Sequence, residues 1–162
     1  MKKSILTIFL VVALCLLGTG CLTNTNDKTY TSHGMSITMP DGFYEKSLAS
    51  VTVYFESQET IVTALKEDFT TLEAINLGKN STLKDYGQAV LANNQKSEEL
   101  KEKDGLTYFT YTTSVSGKNF FYTSVVYKAD DSFWLLTFAC EDSNKDKYED
   151  AFLKWAKTVS FS

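Results

Sequence analysis

At 162 residues the chain has room for one ordinary domain, and its 43% hydrophobic and 14% aromatic content suits a packed core, not a disordered chain. All sixteen basic residues are lysines, set against twenty acidic ones for a net charge of −4. The guanidinium fork that reads phosphates and base edges is therefore missing, a phosphate backbone is repelled, and nucleic acid is not an expected partner.

Met1-Lys2-Lys3-Ser4 is a short basic start, and Ile5 to Leu17 follow as thirteen almost wholly apolar residues. Gly18-Thr19-Gly20 then brings small residues up to Cys21. These are the three parts of an export signal. A membrane-spanning helix needs about 20 apolar residues, more than this run provides. Removal of residues 1–20 leaves 142 of the 162 residues, enough to bury about two thirds of the unfolded surface without metals or disulfides. Lys2 and Lys3 leave with the signal, so 14 lysines against 20 acids give the remainder a charge of −6.

Leu16-Leu17-Gly18-Thr19-Gly20-Cys21 resembles the lipobox of bacterial lipoproteins, with the small residue at Gly20 and the cysteine at Cys21. The resemblance implies acyl chains on Cys21, cleavage before it, and a domain held at the outer, extracytoplasmic face of a membrane by that lipid anchor. Gly18 stands where the family usually has leucine, and Gly18-x-Gly20 also fits the ordinary small-x-small pattern, whose enzyme cuts the same bond and releases a soluble product. Cys15 leaves with the signal, so acylation of Cys21 leaves Cys140 with no cysteine to pair with. An unmodified Cys21 is free to bridge to Cys140 in an oxidising compartment. Leu22 to Lys28 is polar and aperiodic and reads as a tether, so residues 21–28 form the anchor segment and 29–162 the domain. Seven residues span at most about 25 Å, which favours partners in or on the same membrane, such as another envelope protein.

Beyond the tether, Thr29 to Ser32 and Met35 to Met39 read as a leading hairpin around His33-Gly34, with Pro40-Asp41-Gly42 as a turn. Val51 to Phe55 is rich in β-branched and aromatic residues. Thr60 to Lys66 continues that hairpin or, on its Ala64-Leu65-Lys66-Glu67 end, forms a helix. Leu83, Tyr86, Ala89 and Val90 have helical spacing behind a Ser81-Thr82 cap, fading at Asn93-Asn94-Gln95. Leu106 to Val115, Asn119 to Tyr127 and Ser132 to Cys140 form a three-stranded meander with tight turns. Phe133 to Phe138 is apolar on both faces, which predicts a central strand covered on both sides. Tyr148, Phe152, Trp155, Ala156 and Val159 make one stripe of a C-terminal helix capped by Ser143.

The fold class is thus α+β: an antiparallel sheet, leading hairpin plus meander, packed against a middle helix and a C-terminal helix. The order of these elements, with Gly34-Met35-Ser36-Ile37-Thr38-Met39-Pro40-Asp41-Gly42-Phe43 in the leading hairpin and Trp155 to Phe161 at the close, resembles the PsbP-like fold over about residues 29 to 161. That resemblance implies an accessory or binding module, not an enzyme, and brings no set of functional residues with it.

The chemistry-bearing residues are sparse. Asp142-x-Asn144-x-Asp146 opens like a calcium loop, but Lys147 and Leu153 hold the places that need glycine and a bidentate glutamate. Acidic residues there suit a first helical turn. His33 is the only histidine, without a second ligand or base partner in view, and is expected in a turn. Cys140 alternates with Trp134, Leu136 and Phe138 and is expected to be a small buried hydrophobe. Glu98 to Asp104 reads as a solvated edge, and Asn80-Ser81-Thr82 is a glycosylation sequon without weight in a bacterial chain. Tyr108, Phe109, Tyr111, Phe120, Phe121, Tyr122 and Tyr127 either fill two core layers or present a binding surface, with the filled layers favoured. No catalytic residue, metal or cofactor is expected. A protein-docking module comes first, with capture of a sugar, peptide or other envelope component in an aromatic-lined pocket as the alternative.

Overall fold

The computed structural model describes residues 26–162. The export signal, Cys21 and the start of the tether lie outside the described residues. The first strand already begins at Asp27, two residues inside the segment expected to be tether.

Ten strands and three α-helices follow in the order β1 (Asp27–Ser32), β2 (Met35–Pro40), β3 (Tyr44–Glu45), β4 (Val53–Glu56), β5 (Thr60–Asp68), α1 (Phe69–Leu72), α2 (Leu83–Asn93), β6 (Lys101–Lys103), β7 (Leu106–Val115), β8 (Lys118–Lys128), β9 (Ser132–Glu141), α3 (Lys145–Ala156) and β10 (Ser160–Phe161). The α+β class with antiparallel pairing is the expected one. The hairpin and the meander, however, occupy two different sheets. β3-β4-β5-β9-β8-β7-β6 make a seven-stranded sheet, and β1-β2-β10 a separate three-stranded one. The short closing strand β10 is what completes the second sheet, pairing Phe161 with Met35.

Local chemistry explains the joints. His33-Gly34 and Ser116-Gly117 each place two successive residues at positive φ, the tight hairpin turn that matches strand twist. Thr82 caps α2 by accepting from the Asp85 amide, while the Asp85 carboxylate accepts from the Thr82 amide, a full capping box. Thr60–Asp68 is strand throughout, because every position from Thr60 to Asp68 pairs with β9. Ser143 does not cap α3. It lies in a 3₁₀ turn, Asp142–Asn144, and the cap position is held by Asn144 without a side-chain bond. Val159 falls beyond the end of α3 yet still packs on the core.

β9 sits between β5 and β8 and is covered on both faces, as its composition predicts. Trp134, Leu136, Phe138 and Cys140 face a core shared with Met35, Ile37 and Met39 of β2 and Phe152 and Trp155 of α3. Phe133 and Ala139 face a second core with Tyr86, Val90 and Leu91 of α2. Full burial of side chains of this size contributes about 1.5–3 kcal/mol each. Lys101–Lys103, within the expected solvated run, forms an exposed edge strand whose charges guard the sheet against pairing with another chain.

Candidate functional site

A cleft of about 480 Å³ opens where the β1–β2 turn meets the β8–β9 turn. Four stretches far apart in the chain build it. The hairpin turn brings His33 and Gly34, β5 brings Lys66, the segment from Lys128 to Trp134 supplies one wall, and β10 supplies Phe161. Phe161 lies 5.0 Å from Trp134 and 5.7 Å from Tyr127, centroid to centroid, so a half-buried ring at the cleft is backed by two others. The Tyr127 hydroxyl donates to the Ala156 carbonyl at 2.8 Å, which holds that backing in place.

Most of the charges here are already engaged. Lys66 Nζ donates to Asp131 Oδ2 at 2.9 Å and lies 3.5 Å from Asp68 Oδ1. The hydrogen bond between Lys66 and Asp131 raises the pKa of the lysine and, with help from Ser132, lowers that of the aspartate. Lys128 Nζ donates to the carbonyls of Lys79 at 2.6 Å and Ser81 at 2.7 Å, tying the cleft wall to the approach of α2. Ser32 Oγ donates to Glu45 Oε1 and lies 2.7 Å from His33 Nδ1. A hydroxyl has one proton, so with that proton on Glu45 the bond to the ring runs from Nδ1–H to Ser32. In the neutral ring Nε2 is then an acceptor.

His33 therefore occupies the turn expected of it, but it also reaches the cleft. It does not form a nucleophilic triad, since the Ser32 hydroxyl, not the imidazole, stands in the middle and Ser32 is buried. Asp142, Asn144 and Asp146 fall on the 3₁₀ turn and first turn of α3. Among the described residues no group of three His, Cys, Asp or Glu side chains is placed to hold a metal ion. The meander aromatics divide as two filled layers. Tyr108 and Phe121 enter the core beside α3; Phe109, Tyr111, Phe120 and Tyr122 enter the core beside α2. Tyr127 does not line the cleft but packs edge-on against Phe161, which does. Lys66, Lys128, Asp130, Asp131, Trp134 and Phe161 were not legible as a group, since no spacing in the sequence brings them together.

The sequence matches no family model, and no curated protein matches it. Solved structures do share its architecture. A cyanobacterial PsbP, CyanoP from Synechocystis sp. PCC 6803, superposes with a TM-score of 0.52 at 13% identity over 91% of this chain and 99% of its own. A Bacteroides thetaiotaomicron VPI-5482 protein gives a TM-score of 0.52 at 14% identity over 83% of this chain, which spans only 48% of that protein. LpqN of Mycobacterium tuberculosis, involved in cell envelope biogenesis, gives 0.49 at 11% identity over 86% of this chain and 92% of its own. At these identities the likeness is one of fold, and the fold is PsbP-like, as the order of elements in the sequence implies.

Proposed function

We propose that the chain is an extracytoplasmic, membrane-anchored accessory module without catalytic activity, tethered through acylated Cys21 and docking to another envelope component. The observation that carries this reading is the polarity of the domain. The chain enters at Asn26, whose carbonyl accepts from the Asp41 amide at 2.9 Å at the open end of the leading hairpin. The cleft lies at the other end, beside the hairpin turn. A lipid at Cys21 thus holds one end of the domain to the bilayer and presents the cleft outward. Cross-linking in living cells, followed by capture and mass spectrometry, tests it. A single saturable protein partner, lost on the core substitution Trp134→Asp, supports docking; recovery of the chain alone counts against it.

A second reading, capture of a small envelope component, is favoured by the cleft itself. Its volume of about 480 Å³ lies within the roughly 300–1,000 Å³ typical of small-molecule sites. It also has a half-buried aromatic ring, Phe161, beside Asp130, whose carboxylate has no hydrogen bond or ion pair among the described residues.

A further inference from the structure

We propose that the cleft is a site for a neutral saccharide, a mono- or disaccharide stacked on Phe161 and donating hydroxyl hydrogens to Asp130 and His33. This rests on the second reading above and gives its ligand a chemical class.

Charge balance narrows the choice first. The side chains of two lysines, Lys66 and Lys128, and two aspartates, Asp130 and Asp131, line the cleft, and their charges sum to zero. An anionic ligand finds Lys66 already paired with Asp131 and the Lys128 ammonium turned to two carbonyls. It meets the Asp130 carboxylate instead. A cationic ligand meets two ammonium groups in the same walls. A neutral ligand is the one that this ring of charges does not repel.

The uncommitted polar groups narrow it further. Asp130 makes no hydrogen bond or ion pair to the described residues, and its ionised carboxylate only accepts. His33 Nε2 is the second acceptor, for the reason given by the Ser32 and Glu45 contacts. A wholly apolar ligand offers a donor to neither acceptor and so gains nothing from them. The cleft therefore calls for a neutral molecule with several donors and one apolar face. A pyranose has both: hydroxyls around its rim and a C–H face that packs on an aromatic ring. Phe161 provides that ring, and its contacts with Trp134 and Tyr127 fix its position.

Saturation-transfer NMR on the full chain in detergent micelles tests this, with glucose, N-acetylglucosamine, maltose and chitobiose as neutral probes. Glucose 6-phosphate and trilysine serve as the charged ones. We expect saturable transfer to at least one neutral sugar, strongest at the ring C–H protons of one face. Phe161→Ala and Asp130→Asn should each weaken it about tenfold or more, and Tyr44→Ala should leave it unchanged. Asp130 lies on an exposed turn, so its substitution keeps the test decisive should Phe161→Ala disturb the fold. Binding of a charged probe alone overturns the saccharide assignment and keeps the cleft as a site. Silence from all six probes overturns the cleft reading as well. Sugar binding undiminished in Asp130→Asn overturns the placement of the site.

Discussion

The backbone of Asn26 is hydrogen-bonded to that of Asp41 at 2.9 Å, which closes the leading hairpin at the end opposite His33. The six residues of β1 between them span about 20 Å. Cys21 precedes Asn26 by five residues, a reach of at most about 18 Å. Acylation of Cys21 would thus keep the hairpin base near the bilayer and the cleft about 20 Å further out, one length of β1. The expected result for Cys21→Ser is transfer of the protein from the membrane fraction to the medium, read by immunoblot of fractionated cells. Membrane partitioning that survives the substitution rules the anchor out.

Tyr86 couples the middle helix to the central strand. Its ring stacks on Phe133 with centroids 4.5 Å apart and planes 6° from parallel, and its hydroxyl donates to Glu67. Burial first, and then Glu67, push the Tyr86 pKa well above the usual phenol value, so the hydroxyl stays a donor. Tyr86→Phe keeps the stack and loses the bond to a carboxylate, for an expected cost of about 1–3 kcal/mol. Tyr86→Ala also opens a cavity against Phe133 and should cost about 3–5 kcal/mol. Urea unfolding of both variants checks the order; equal losses would mean that the stack contributes little.

Elements whose signal is local were legible in the sequence. The meander strands are long runs between tight turns at Ser116-Gly117 and Ala129-Asp130-Asp131, and Ser81-Thr82 ahead of Leu83 announces the start of α2 on its own. The two-residue strands β3 and β10 have too few residues for any periodicity, so nothing foretold that β10 would complete a second sheet around β2. The start of α3 was misplaced because Ser143 and Asn144 are both good capping types, and the intervening 3₁₀ turn depends on how β9 ends. The cleft was not legible at all. His33, Lys66, Asp130 and Phe161 meet only through sheet register and the closure of β10, which are long-range properties of the fold.

Cys140 is wholly buried on the inner face of β9. Burial, with smaller contributions from Asp142 and Glu59, pushes its thiol up to about 12. Thiolate is the reactive form, so the folded protein should resist a disulfide-exchange reagent at neutral pH. In urea, after reduction, the mature protein should show a single titratable thiol if Cys21 is acylated, and two if Cys21 is unmodified. That count separates lipoprotein-type cleavage from ordinary cleavage, which cut the same bond. Rapid labelling of the folded chain by one equivalent would contradict the burial of Cys140, provided that Cys21→Ser labels equally fast.

Glu59 joins the turn between β4 and β5 to α3, accepting from the ammonium of Lys147 and from the hydroxyl of Tyr148. The hydrogen bond from Lys147, then that from Tyr148, holds the Glu59 carboxyl below its usual range. A carboxylate whose pKa is lower in the folded chain stabilises fully above its unfolded value, about 4.3, and loses that effect as pH falls through the folded value. Tyr148 has the opposite sign. Burial first, then Glu59, push its phenol up to about 12. Its contribution is therefore whole below the unfolded value of about 10 and disappears as pH rises through about 12. Wild type should exceed Glu59→Gln in stability at neutral pH, and the gap should close below about pH 4. The gap between wild type and Tyr148→Phe should instead close on the alkaline side. Urea midpoints of the three proteins across pH measure both arms. A Glu59→Gln gap that stays constant down to pH 2 would show that the carboxylate is not held by these two partners.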